Sequence, residues 1–218
     1  MLNELKERII IICGHYGAGK TNVAVNLALF AAEKGKKVTI ADLDVVNPYF
    51  RTADNAKELR EKGIRCIIPQ YANTNVDIPS IPAEFLSVFH GDDFSVIDVG
   101  GDDGAIALSV YKEKFESSGY EMIYVYNACR PLTAELDEAE QSLRDIEAMS
   151  RLKVGYIINN TNLGEETTAE TVKKGEEICK ALSERTGVPF LGNTVFKTVK
   201  GLDIDSVIPM DNATKQLF

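Results

Sequence analysis

This chain of 218 residues has no excess of basic charge, no paired cysteines, no long uncharged apolar span and no low-complexity stretch. Each absence excludes something. Lys and Arg number 24 against 33 Asp and Glu, a net charge of −9. Such a surface repels phosphate backbones, so broad electrostatic binding to DNA or RNA is not expected. Cys13, Cys66, Cys129 and Cys179 are scattered, with no C-x-x-C or C-x-C pair. Adjacent-ligand zinc or cluster ligation therefore has no support, and the thiols are expected as small buried side chains in a reducing compartment. The apolar run IIIIC at 9–13 is too short for a signal segment, and nothing approaches the ~20 apolar residues of a membrane span. A soluble cytoplasmic chain is expected. With no linker or composition break, one domain over residues 1–218 is expected.

What is present is an alternation of short β-branched runs with amphipathic segments, the pattern of a parallel sheet covered by helices. Strands are expected at 8–13, 37–42, 64–69, 94–99, 121–127, 153–159 and 189–196. Helices are expected at 21–35, ending at Gly35, at 133–149, opened by a Thr133 cap, and at 166–187, where Gly175 weakens the middle.

Between the first strand and first helix stands GHYGAGKT, residues 14–21, which has the Walker A spacing G-x-x-x-x-G-K-T. Glycines let backbone N–H groups turn inward around phosphate oxygens. The helix that follows adds the positive end of its dipole. Lys20 is expected at the β- and γ-phosphates, and the Thr21 hydroxyl on Mg²⁺. The expected nucleotide-contacting set is Gly14, His15, Tyr16, Gly17, Ala18, Gly19, Lys20, Thr21 and Asn22. His15 is either a hydrogen-bonded loop residue or a phosphate contact. Tyr16 either packs over the loop or stacks on a ligand or partner.

Two acidic motifs follow. ADLDVVNPYFR (41–51) carries Asp42 and Asp44 at spacing two, hence on one side of an extended segment, at the strand end where open α/β sheets bind ligands. One such carboxylate can orient or deprotonate an attacking water. VIDVGGDD (96–103) delivers Asp98 from an apolar strand, suited to Mg²⁺, with Gly101 placed to sense a γ-phosphate. Asp102 and Asp103 are either solvated loop acids or functional groups. Arg51 and Arg130, just beyond strand ends, are candidates for phosphate or acidic substrate. His90, in VFHGDD, reads as a surface residue beside a turn.

GHYGAGKT, ADLDVVNP and DVGGDDG together resemble the MinD/ParA group of deviant-Walker, SIMIBI-class P-loop ATPases, over nearly the whole chain. Nitrogenase iron protein and carbon-monoxide-dehydrogenase maturation ATPases belong to the same wider class. The resemblance implies an α/β fold with a mostly parallel P-loop sheet of about seven strands, helices on both faces, and a slow Mg-ATP-dependent switch acting on a protein partner. By the family pattern Lys20 and Asp44 are the catalytic pair, Asp44 positioning the water. Thr21, Asp42 and Asp98 form the magnesium shell, and Asn159 lies where members use an Asn on adenine.

The departures are specific. The lysine that follows the first glycine in MinD-type loops is His15 here, and histidine is shorter, without a constant charge at neutral pH. A homodimer closed over nucleotide therefore needs another basic group, with Arg51 a candidate, or does not form. No membrane-targeting tail and no bridging cysteine pair is read. The alternatives are a P-loop small-molecule kinase or ATP-dependent ligase, or a nucleotide-binding regulatory module with negligible hydrolysis. GTP stays open beside ATP, because INNTN lacks the N-K-x-D guanine motif without proving adenine.

Overall fold

The structure is a computed structural model. It describes residues 4–43, 52–68 and 81–213; within these, the side chains of residues 52–54, 102, 103 and 132 are not described. Strand β1 (Ile9–Cys13) is buried along its whole length. Ile9, Ile11 and Cys13 enter one hydrophobic core and Ile10 and Ile12 the other. A strand covered on both faces is apolar at every position, and that is why IIIIC does not alternate.

The same logic holds for β2 (Val38–Asp42) and β4 (Phe94–Asp98), and beside them run β3 (Arg65–Ile67), β5 (Glu121–Tyr126), β6 (Tyr156–Asn159), β7 (Phe190–Phe196) and β8 (Val207–Met210). They form one sheet of order β3-β2-β4-β1-β5-β6-β7-β8. All pairings are parallel. All seven expected strands are present. The eighth, VIPM, is short and contains Pro209, which cannot donate to a ladder and is tolerated because β8 lies at the sheet edge.

Helices α1 (Lys20–Glu33) and α2 (Thr52–Glu61) cover one face of the sheet, with Leu27 and Leu59 in the same core as Ile10 and Ile40. The opposite core is closed by α3 (Asp102–Ser109), α4 (Lys112–Ser118), α5 (Leu136–Ser150), α6 (Ala169–Thr186) and a 3-10 segment, Ala83–Phe89. Phe85, Phe89, Tyr111 and Phe115 stack or meet edge to face there. Aromatic pairs of this geometry contribute ~0.5–1.5 kcal/mol each beyond burial.

Two expectations are corrected. Helix α5 is capped by Glu135, which exchanges capping-box bonds with Glu138, and not by Thr133. Pro131–Thr133 instead forms a 3-10 turn, and the Thr133 hydroxyl donates to the Asn127 carbonyl. Gly175 is more than a weak point in α6. A Cβ there would collide with the side chains of Asn159 and Thr161, so the glycine lets α6 close on the end of β6.

Candidate functional site

The loop between β1 and α1 lies at the C-terminal edge of the sheet. Gly14 has φ 147° and Gly19, the residue capping α1, has φ 86°. A Cβ on Gly14 would strike the Val125 carbonyl of β5, and one on Gly19 the Asn160 side chain. The loop is therefore pressed against the ends of β5 and β6, and only glycine fits at these two positions.

Its carbonyls are tied off by residues distant in sequence. Asn160 Nδ2 donates to the Ala18 carbonyl at 2.7 Å, while its Oδ1 accepts from the Thr194 hydroxyl at 2.7 Å. Arg130 Nε donates to the Gly17 carbonyl at 2.7 Å. The His15 carbonyl accepts from the Ala18 N–H and from Lys20 Nζ, both at 3.1 Å. Fixing loop carbonyls to protein donors keeps them from turning toward an anion, which backbone N–H groups of such a loop can then bind. Lys20 is buried and folded back over the loop that it would share with a phosphate.

Asp42 ends β2 and Asp98 ends β4, and the two are in-register neighbours, each about 1% exposed. They share the parity of Ile40 and Val96, so they face the α1 side, toward the loop. Asp42 and Asp98 thus end adjacent strands at the same edge as the loop that carries Lys20 and Thr21. Asn22 adds an orphaned donor: its Oδ1 accepts from the Ala213 N–H, while Nδ2 is buried with no protein partner. A donor left unpaired in a protein interior costs ~1–3 kcal/mol. The glycine cradle and the paired strand-end carboxylates fit a nucleotide with Mg²⁺.

Tyr16 is 61% exposed and its backbone and Cβ abut Gly101, the residue that starts α3. Gly104 packs against Val99 and approaches the Leu43 carbonyl at the end of β2. Ile106 and Val110, on and just after this helix, are 53% and 77% exposed. Asp44 and Arg51 lie outside the described residues, as do the side chains of Asp102 and Asp103.

Asn159, expected on adenine, has its side chain committed to protein partners. Its side chain is fully buried, donating to the Val172 carbonyl at 2.9 Å and Asn193 Oδ1 at 2.8 Å and accepting from the Thr161 N–H at 3.0 Å. It ties β6 to α6 and β7, while the adjacent Asn160 braces the loop. Asn160 and Thr194 are the site residues that sequence reading did not assign, while Arg130, expected as a contact for phosphate or acidic substrate, is found bracing the Gly17 carbonyl. The doubled Asn at the end of a strand was the available signal.

Burial disfavours the thiolate at all four cysteines. Burial pushes the Cys13 thiol up to about 12 despite the opposing charge of Lys20. Burial raises Cys66, Cys129 and Cys179 as well. Among the described residues no group of three or more His, Cys, Asp or Glu is placed to hold a metal by itself. Among them also, no helix is long and apolar enough to cross a membrane.

A parallel sheet, a glycine loop braced into an anion cradle and paired strand-end carboxylates define a P-loop nucleotide-binding domain. The CbiA family, the CobQ/CobB/MinD/ParA nucleotide-binding domain, matches residues 9–204, and the chain belongs to that family. It is also 31% identical over 101 residues to the signal recognition particle 54 kDa protein of Haloarcula marismortui, covering 46% of this chain and 20% of that one. It is 39% identical over 59 residues to the iron-sulfur cluster carrier protein of Salmonella typhimurium, covering 27% of this chain and 16% of that one. The chain thus spans about a fifth of the length of these relatives. FtsY from Thermotoga maritima superposes with a TM-score of 0.57 at 19% identity, over 87% of this chain and 62% of that one. FtsY from Elizabethkingia anophelis gives 0.56 at 17%, over 96% and 63%. These likenesses establish a SIMIBI-class P-loop fold.

Proposed function

We propose that this protein binds Mg-ATP and acts as a slow ATPase whose nucleotide state is communicated to a protein partner. The observation that carries the reading is the path from phosphate site to surface. Tyr16 of the loop abuts Gly101, and Gly101 starts α3, beside which Ile106 and Val110 are exposed. A γ-phosphate contact at Gly101 would bias the position of α3, and exposed apolar side chains on such an element suit recognition by another protein.

Within the site, backbone N–H groups of the loop and Lys20 would hold the phosphates. Thr21, Asp42 and Asp98 would hold Mg²⁺, which when bound neutralises phosphate charge. The water-orienting role is assigned to Asp44 from its place in ADLDVVNP. With His15 in the place of the MinD-type lysine, ATP does not drive the usual tight sandwich homodimer, or Arg51 or another basic group takes the lysine's place.

Titration calorimetry with Mg-ATP and Mg-GTP decides the nucleotide. The guanine alternative matters because one FtsY neighbour is a complex with GDP. Asp44→Ala is expected to bind nucleotide normally and to lose ~10²–10⁴-fold in phosphate release. Turnover surviving within tenfold would remove Asp44 from its role. Asp98→Asn is expected to weaken the magnesium dependence of binding. Sedimentation of the Asp44→Ala protein with Mg-ATP reads the assembly directly: a tight ATP-dependent dimer insensitive both to His15→Ala and to charge reversal at Arg51 overturns this account of the loop.

A further inference from the structure

At the opposite, N-terminal edge of the sheet a cavity of about 240 Å³ is lined by Arg8, Lys37, Arg65, His90, Ser87 and Asp93, among other residues. It is separated from the loop by the length of the strands, roughly 16 Å for five residues. We infer that this cavity is a second anion site, built to take a small oxyanion such as a phosphate group.

Three observations carry it. The first is charge: on a chain of net charge −9, three permanent cations and a histidine surround Asp93, the one acid among the described lining residues. Asp93 neutralises at most one of them. Its carboxylate takes Lys37 Nζ at 2.9 Å and the Thr39 hydroxyl at 2.9 Å. Arg8 donates to the Val88 and Phe89 carbonyls at 2.8 and 3.2 Å, both neutral acceptors that leave its charge unpaired. Arg65 reaches Asp93 only through space.

The second is register. Ser95, Thr39 and Arg65 form one row across β4, β2 and β3, and the next row on that face is Ile97, Ala41 and Ile67. Ser95 and Thr39 are 1% and 2% exposed, so polar side chains occupy interior positions that the sheet otherwise fills with apolar ones. The third is an orphan. Ser87 is a half-buried lining residue whose Oγ is sealed from solvent and has no hydrogen-bond partner among the described residues. The guanidinium of Arg8, which bonds only neutral carbonyls, and the exposed guanidinium of Arg65 both belong to the lining. Charge-assisted bonds from such groups are the strong ones for planar or tetrahedral oxyanions.

The test is a titration of the full-length Lys20→Ala protein with inorganic phosphate, followed by backbone amide NMR. The Lys20→Ala change weakens phosphate binding at the P-loop. Expected are saturable shifts centred on residues 65, 87–91 and 93, reproduced with pyrophosphate. Adding Arg65→Gln and His90→Gln, both exposed, should weaken the saturation about tenfold or more without changing the thermal midpoint. Shifts confined to residues 14–22 would overturn the site, because they would mean P-loop binding only. So would cavity shifts that sodium chloride reproduces at matched ionic strength, which would mean screening. Cavity shifts indifferent to both substitutions would overturn it as well.

Discussion

The two edges of the sheet are built with opposite electrostatics. At the C-terminal edge the strands end in carboxylates, Asp42 and Asp98, and positive character comes from a helix start, backbone N–H groups and Lys20. At the N-terminal edge the cations are side chains, Arg8, Lys37 and Arg65, gathered about Asp93. The difference is one of construction. A backbone cradle needs contiguous residues with special φ values and can be written as a motif. A side-chain cluster needs only that four separate segments meet, and it leaves no motif behind.

The largest effect that would break this comparison is at Lys20. Lys20→Ala should lower Mg-nucleotide affinity by ~10²–10⁴-fold in calorimetry, since two charge-assisted bonds of ~1.5–3 kcal/mol each are lost. Unchanged affinity would remove the functional reading of the C-terminal edge. Next is the brace. Asn160→Ala removes the bonds to the Ala18 carbonyl and from Thr194, about 2–3 kcal/mol in a buried network. Differential scanning calorimetry should record a fall of roughly 4–8 °C, with weaker nucleotide binding as the loop loosens.

Gly175→Ala sharpens the role of close packing beside the site. Helix propensity alone predicts a gain of ~1 kcal/mol. The collision with Asn159 and Thr161 predicts a net loss of ~1–3 kcal/mol in urea unfolding. A stabilised variant would show that α6 has room to move. The smallest effect belongs to Asp93, whose carboxyl sits below its ordinary 3.8 chiefly through the bond from Lys37. A depressed folded value stabilises the protein above pH 3.8, and the contribution disappears as pH falls through the lower folded value. The urea-unfolding stability of Asp93→Asn should therefore lie below wild type at pH 7, by less than ~1 kcal/mol, and the two should converge as pH falls below the depressed folded value.

Local signals carried much of this molecule. Seven runs of β-branched residues marked seven of the eight strands, because a doubly buried strand must be apolar along its length. GHYGAGKT marked its own cradle, because the conformations it needs exclude side chains at fixed spacings. Asp42 and Asp98 were legible as strand-end acids. Strand β8 was not, since Pro209 argues against a strand and only its edge position permits it.

What tertiary structure alone decided is which groups complete the site and which are already committed. Asn159 and Asn160 are neighbours in sequence, yet one is sealed among β6, α6 and β7 while the other holds the loop 142 residues away. Arg130 reaches Gly17 across 113 positions. Ser95, Thr39 and Arg65 become a row only when β4, β2 and β3 pair. The sequence determines a conformation where neighbouring residues impose it through sterics. Long-range partnerships follow from strand order and register, which no local window contains.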